Sequence, residues 1–259
     1  REETKLLEEE LYSTFVNSFV VSLAKLNRRI KNLIKFAFLP GYVQPTLALL
    51  YEPELTFVGR YALKKDPCEL SVISIDLLQK TFTTLFTIDH LPDGCFSLLP
   101  LAKPVGGLLV VCPDGIMHVD QGYSGYAMAV NGFATRSNST NFRYKKNNSM
   151  LELDLANVQM IPINPFQIAC FFPNSSCYWL TLTQEGKRFV TGMELRKAEY
   201  ESQPFIPSSL CIWNNWIFIG CRLSDSVLIE CSKRDEMDAK TSKLYGSNDD
   251  IDVELFGTS

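Results

Sequence analysis

Apolar residues along this chain gather in short runs. TLALLY (46–51), ELSVISIDL (69–77), GLLVVC (107–112), QIACFF (167–172), YWLTLT (178–183) and WIFIG (216–220) are rich in β-branched and aromatic residues, and Gly, Pro, Asn, Asp or Ser bounds each. That punctuation is the mark of strands. Several runs come in pairs around a tight break: GLLVVCPDGIMHV around Pro113-Asp114-Gly115, QIACFFPNSSCYWLTL around Pro173 to Ser176, and WIFIGCRLSDSVLIE around Arg222 to Asp225. Helical spacing is confined to the start. LAKLNRRIKNLI places Leu23, Leu26, Ile30, Leu33 and Ile34 at helical intervals, and IKFAFLP then alternates Ile34, Phe36 and Phe38 up to Pro40-Gly41. The pattern reads as a helical turn giving way to a strand.

The hairpins recur near Leu49, Leu109, Ala169 and Phe218, a spacing of roughly 50–60 residues, somewhat above the common propeller repeat. Long loops account for the excess, ATRSNSTNFRYKKNNS (134–149) being the most obvious. Recurrent antiparallel sheets with little helix between them predict an all-β fold of WD40-like β-propeller blades with a minor N-terminal helix; a β-sandwich is the competing all-β reading. The chain divides into a charged N-terminal segment (1–18), the blades (19–231) and a charged, acid-rich linker or tail (232–259) in which the apolar pattern stops.

Composition narrows the function classes. Of 259 residues, 46% are hydrophobic and 21% charged, with a formal net charge of -4. These are the proportions of a globular domain, and a protein that binds mainly by neutralising phosphates leans basic instead. Eight cysteines (68, 95, 112, 170, 177, 211, 221, 231) form no CxxC pair and sit mostly in apolar runs. That is the usage of buried free thiols in a reducing compartment. The sequons at Asn138, Asn147 and Asn174 then belong to loops. No run approaches the ~18 apolar residues of a membrane-spanning helix, and no membrane partner is expected. The opening REETKLLEEE, without methionine, reads as the interior of a longer sequence.

Catalytic chemistry finds few candidates. The histidines are His90, before a Pro-Asp-Gly turn, and His118, on the predicted strand IMHVD. Neither is paired by pattern with a nucleophile, and no G-x-S-x-G elbow occurs. Cys170 and Cys177 flank a turn without the second ligand pair of a structural zinc site. PVGGLLVV carries Gly106 and Gly107 into a strand, whereas a dinucleotide loop leaves one. No catalytic, metal or cofactor-binding residue is therefore assigned, and no cofactor is expected. Two basic stretches could contact RNA or a partner: Arg28 and Arg29 with Lys31 and Lys35, and Arg143, Lys145 and Lys146 beside Phe142 and Tyr144. The second would bind single strands only if its aromatics were exposed for stacking. In WIFIGCRLSDSVLIE the polar centre supplies turn residues: Gly220 allows a close backbone approach or a bulge, and Arg222 can pair with Asp225 or cap carbonyls across the turn. The stretch is read as a hairpin, and Gly106, Gly107, Gly220, Arg222 and Asp225 as structural turn residues.

That hairpin resembles the recurring G-S-R-x-G-D-S-x-L element of the triple-propeller superfamily, with Cys221 at the usual serine and Ser224 at the usual glycine. GYVQPTLALLYEPELTFVGR (41–60), KKDPCELSVISIDL (64–77), LPDGCFSLLPLAKPVGGLLVV (91–111) and the closing KLYGSNDD are similar, in order and approximate spacing, to the largest subunit of the cleavage and polyadenylation specificity factor. The resemblance runs from about Phe19 to the tail. It implies part of a first propeller, about its last half, in a three-propeller scaffold that is not an enzyme. It also implies a nuclear location. The expected role is to hold a WD-repeat subunit and a CCCH zinc-finger subunit that read an AAUAAA-type signal, with RNA contacted by the complex rather than by this chain. A same-fold adaptor of a ubiquitin ligase or a spliceosomal complex is the alternative.

Overall fold

Period-two alternation dominates the chain, and the computed structural model turns it into antiparallel sheets. The structure describes residues 20–55, 57, 59, 66–121, 125–136, 144–146, 152–186, 189–198, 205–233 and 251–256. Residues 1–18, Phe142, Arg143, Asn138 and Asn147 lie outside them.

The first sheet is built from β1 (Asn32–Leu39), β2 (Thr46–Glu52), β3 (Cys68–Asp76) and β4 (Thr81–Leu91) in sequence order. The second contains β5 (Ser97–Pro100), β6 (Leu108–Cys112), β7 (Gly115–Val119) and β8 (Ala127–Ala129). To its outer edge β9 (Tyr144–Lys146) adds in parallel with β8. The third is β10 (Gln159–Asn164), β11 (Gln167–Phe171), β12 (Cys177–Glu185) and β13 (Phe189–Lys197). The fourth is β14 (Pro207–Trp213), β15 (Trp216–Cys221), β16 (Val227–Lys233) and β17 (Ile251–Phe256). Apart from β9, every neighbour is antiparallel and next in sequence.

The four sheets stack face to face in chain order, as propeller blades do. Ala48, Leu50, Leu70 and Val72 of the first sheet meet Leu108, Val110, Met117 and Val119 of the second. On the other face of that second sheet, Leu109, Val111, Ile116 and Met128 meet Ile168, Cys170, Leu180 and Leu195. Ala169, Phe171 and Cys177 then meet Ile217, Ile219 and Ile229. The first strands of neighbouring sheets lie side by side, β1 against β5 and β10 against β14, which puts them on the inner side of the stack. Each buried Leu, Ile or Val contributes about 1.5–3 kcal/mol, so the stacking is the main source of order.

The second strand of each sheet carries this arrangement. β6 is buried at every position and β2 and β11 nearly so, because each is covered on both faces. Continuous apolar runs such as LLVVC therefore replace alternation. The hairpin positions picked out by spacing, Leu49, Leu109, Ala169 and Phe218, fall on these second strands; each sheet starts one strand earlier.

The helical turn is α1, Leu23–Leu26, with no side-chain cap from Ser22. Ile30 leaves the helix and is buried with Leu49, Tyr51 and Ile73 on the free face of the first sheet, while Leu33 and Ile34 are already in β1. Two stretches expected to be irregular contain strands. Tyr144–Lys146, within the long loop, extends the second sheet. Ile251–Phe256, within the acid-rich tail, pairs with Leu228–Lys233; the alternation Ile251, Val253, Leu255 was masked by the surrounding charge.

Candidate interaction surfaces

The hairpin WIFIGCRLSDSVLIE is β15 turning into β16, with Ile219 opposite Val227 and Trp216 opposite Glu230. Ile217, Ile219 and Ile229 point toward the third sheet and are buried. Gly220 stands opposite Ser209, where the register of β14 shifts, and a Cβ there would lie 2.4 Å from Ser209 Oγ. Ser208 Oγ donates to the Gly220 carbonyl at 2.8 Å. Arg222 and Asp225 are both exposed in the turn, and no ion pair joins them among the described residues. In full contact with water, each charge is better solvated than paired across a mobile-ended side chain.

The Pro-Val-Gly-Gly segment has a different task. Gly106 and Gly107 both have left-handed backbones, with φ +72° and +70°, and a Cβ on Gly107 would sit 2.2 Å from the Val119 carbonyl oxygen. The close approach lets the His118 imidazole reach the Gly106 carbonyl, at 3.0 Å from Nε2. Burial pushes the His118 pKa down, against the opposing pull of that hydrogen bond. His118 is thus a neutral donor fixing a loop, and among the described residues no serine, threonine or cysteine side chain hydrogen-bonds to its ring. His90 is exposed, 3.9 Å from the equally exposed Asp89.

The thiols are core residues. Cys68, Cys95, Cys112, Cys170, Cys177 and Cys231 are buried, while Cys221 is half-buried and Cys211 exposed. Burial raises the Cys170 and Cys177 thiols well above the ordinary value, and Cys231 to about 11. Cys95 is raised chiefly by its hydrogen bonding with Cys112 and Cys68. Raised thiols are poor nucleophiles. Among the described residues no group of three His, Cys, Asp or Glu side chains is arranged to hold a metal ion.

The basic stretches lie apart in the fold. Arg28 and Arg29 sit in the turn between α1 and β1, exposed. Arg29 is tied to the buried carboxylate of Glu69, which raises the guanidinium pKa. Lys145 lies on β9 at the outer edge of the second sheet, with Nζ 4.6 Å from the centre of the Tyr126 ring. Tyr144 packs against the core between the first and second sheets and donates from its hydroxyl to Met117 Sδ at 3.4 Å. Its ring is thus committed to the blade and does not offer the free face that base stacking needs. Lys146 continues β9.

The pattern of strands gave no warning of one surface. On the face of the fourth sheet turned away from the third, Cys211, Trp213, Trp216, Phe218 and Leu228 line an apolar groove. Trp213 is 73% exposed and Phe218 47%. The signal was the Trp pair flanking Asn214-Asn215, together with a second strand that alternates in burial where its counterparts do not.

No family model matches the chain. It is 31% identical over 221 residues to cleavage and polyadenylation specificity factor subunit 1 of Drosophila melanogaster, a match covering 85% of this chain and 15% of that protein. It is 29% identical over 238 residues to the protein of the same name in Arabidopsis thaliana, covering 92% of this chain and 16% of that protein. To Protein CFT1 of Yarrowia lipolytica it is 27% identical over 257 residues, covering 94% and 19%. The chain thus spans less than a fifth of the length of these relatives.

Proposed function

Because this chain belongs to the family of cleavage and polyadenylation specificity factor subunit 1, we propose that it forms blades of the first propeller of a non-catalytic scaffold in nuclear pre-mRNA 3′-end cleavage and polyadenylation. The scaffold holds a WD-repeat subunit and a CCCH zinc-finger subunit, which together read an AAUAAA-type signal. The observation that carries this reading is the coincidence of two facts. The similarity to these relatives covers 85% or more of the chain, and the same stretch folds into stacked sheets in which, among the described residues, no three His, Cys, Asp or Glu side chains are arranged to hold a metal ion. A stack of this kind offers stiff surface for partners, with loops at its ends, and no convergent set of reacting groups.

RNA is contacted by the assembled complex rather than by this chain. Arg28, Arg29, Arg143, Lys145 and Lys146 are taken as candidate positions for partner or RNA contact, and Gly106, Gly107, Gly220, Arg222 and Asp225 as structural residues of turns and the strands that enter them. The experiment is capture of the tagged full-length polypeptide from nuclear extract, with mass spectrometry of what accompanies it. Polyadenylation-factor subunits are expected; cullin-ligase or snRNP proteins in their place would overturn the proposal. Fluorescence titration of the 259-residue chain with AAUAAA-containing RNA is expected to show no measurable affinity. Tight, salt-sensitive binding lost on replacing Arg143, Lys145 and Lys146 would assign the RNA contact to this chain.

A further inference from the structure

Between residues 11 and 51 the chain carries five cations, Lys25, Arg28, Arg29, Lys31 and Lys35, and no acid, although its formal net charge is -4. Four of the five crowd into residues 25–31. The fold gives these four two different settings. Arg29 is tied to Glu69 on β3, whose side chain is only 7% exposed. Lys25, Arg28 and Lys31 are exposed, and among the described residues no ion pair takes up any of them. The backbone that presents them is held in place. Asn27 N donates to the Leu23 carbonyl at 3.1 Å and Ile30 N to the Asn27 carbonyl at 3.0 Å, while Asn27 Oδ1 accepts from Arg29 N at 2.9 Å. Ile30 is buried and, with Leu23 and Leu26, packs on Leu49, Tyr51 and Ile73. An apolar anchor and a buried carboxylate thus fix the turn, and the cations left over stand in solvent without counter-charges.

We propose that residues 25–31 form the docking site for an acidic peptide segment of a partner subunit, with Lys25, Arg28 and Lys31 as its contacts and Arg29 as the positioning residue that holds them through Glu69. Three unpaired cations within one short turn raise the local potential, and a carboxylate-rich segment relieves it. A guanidinium fork matches a carboxylate with two parallel hydrogen bonds, and Arg29 already takes the carboxylate of Glu69. Holding the turn before the partner arrives removes part of the ordering cost of binding. A single-stranded nucleic acid is the poorer fit. It draws affinity from bases stacked on rings, and residues 25–31 (KLNRRIK) include no aromatic side chain. The inference rests on the scaffold reading above and adds to it one contact surface and the chemistry of what that surface holds.

The test is fluorescence anisotropy with the full-length polypeptide and two labelled probes of about ten units each, a glutamate peptide and a single-stranded RNA. The peptide is expected to bind, and more weakly as salt rises from about 50 to about 200 mM. The double variant Arg28→Gln, Lys31→Gln should lose about tenfold or more in affinity. Glu69→Gln separates an organised site from loose charge. It removes an acid beside the turn, so charge alone predicts tighter binding, whereas release of Arg29 predicts binding at least about threefold weaker. If that variant also lowers the urea midpoint, Arg29→Lys carries the test, since it keeps the charge and loses the fork. Weaker peptide binding by Arg29→Lys then supports the positioning role, and unchanged binding overturns it. The inference is overturned by a peptide that does not bind, by an affinity that the double variant leaves unchanged, or by tighter binding to a stably folded Glu69→Gln. RNA bound more tightly than the peptide, and lost in the same double variant, overturns it too. Capture from nuclear extract keeps the two readings apart. One polyadenylation-factor subunit is expected to elute from the double variant at lower salt than from the unaltered polypeptide. The same subunits eluting at unchanged salt sink this inference alone; cullin-ligase or snRNP proteins in their place sink the scaffold reading, whatever the peptide titration gives.

Discussion

Leu109 and Phe218 occupy the same place in their sheets, mid-strand on the second strand and on the face turned away from the preceding sheet, yet one is covered and the other is not. Leu109 is 0% exposed, clamped between the second and third sheets. Truncation to alanine removes its transfer free energy and leaves a cavity that the flanking strands, held on both sides, cannot close. About 3–4 kcal/mol is the expected cost, a large share of a stability of about 5–15 kcal/mol. Phe218 is 47% exposed, so Phe218→Ala surrenders only the buried half of the ring and opens no enclosed void; about 1 kcal/mol is expected. The assay is urea denaturation of the 259-residue chain, read by the fluorescence of Trp179, Trp213 and Trp216. With a slope of about 3 kcal/mol/M, Leu109→Ala should lower the midpoint by about 1 M and Phe218→Ala by about 0.3 M. Equal shifts, or a larger one for Phe218→Ala, would refute the claim that face-to-face stacking holds the chain together.

Gly107→Ala is expected to lower the melting temperature more than Gly106→Ala. Both glycines have positive φ, but only Gly107 would drive a Cβ into the Val119 carbonyl; the left-handed conformation alone costs about 1–2 kcal/mol. The depressed pKa of His118 means that the unfolded chain takes up a proton near pH 6.5 which the folded chain resists. Stability from this group is complete above about pH 6.5 and is lost as pH falls, by at most about 1.4 kcal/mol per pH unit. His118→Gln, which keeps a donor for Gly106, should flatten the slope of stability between pH 5 and 6.5, as measured by urea melts across that range; an unchanged slope contradicts the burial argument. Thiol titration with DTNB at about pH 8 should read Cys211 first, with Cys95, Cys170, Cys177 and Cys231 reacting only on unfolding. Immediate reaction of the buried set would show the sheet joints to be open.

The second strands of the first three sheets were legible because burial on both faces writes an unbroken apolar run, and that of the fourth because its open face is apolar too. TLALLY, GLLVVC, QIACFF and WIFIG all fall on second strands. The strands that escaped are those on the sheet edges. β5, β10 and β14 each carry a proline, Pro100, Pro162 and Pro207, which argues against a strand by pattern; each is the first strand of its sheet, where a missing N–H breaks no ladder. β4 mixes threonines with its apolar residues because one side meets solvent, and β17 lies in a charged stretch where only Ile251, Val253 and Leu255 carry the period. The left-handed backbones fall on the adjacent Gly106 and Gly107, whereas the exposure of Arg222 and Asp225 is a tertiary property that no local pattern encodes. The packing of Tyr144 into the blade was equally hidden, since FRYKK gives no sign of which side of an edge strand faces the core.

The stacking claim is tested most directly by native-state hydrogen exchange of the 259-residue chain, resolved to single strands. Amides of β2, β6 and β11 should exchange slowest, and those of β15 measurably faster, since its sheet has a cover on one face only. Protection of β15 equal to that of β6, or exchange in β6 as fast as in the edge strand β4, would contradict the account.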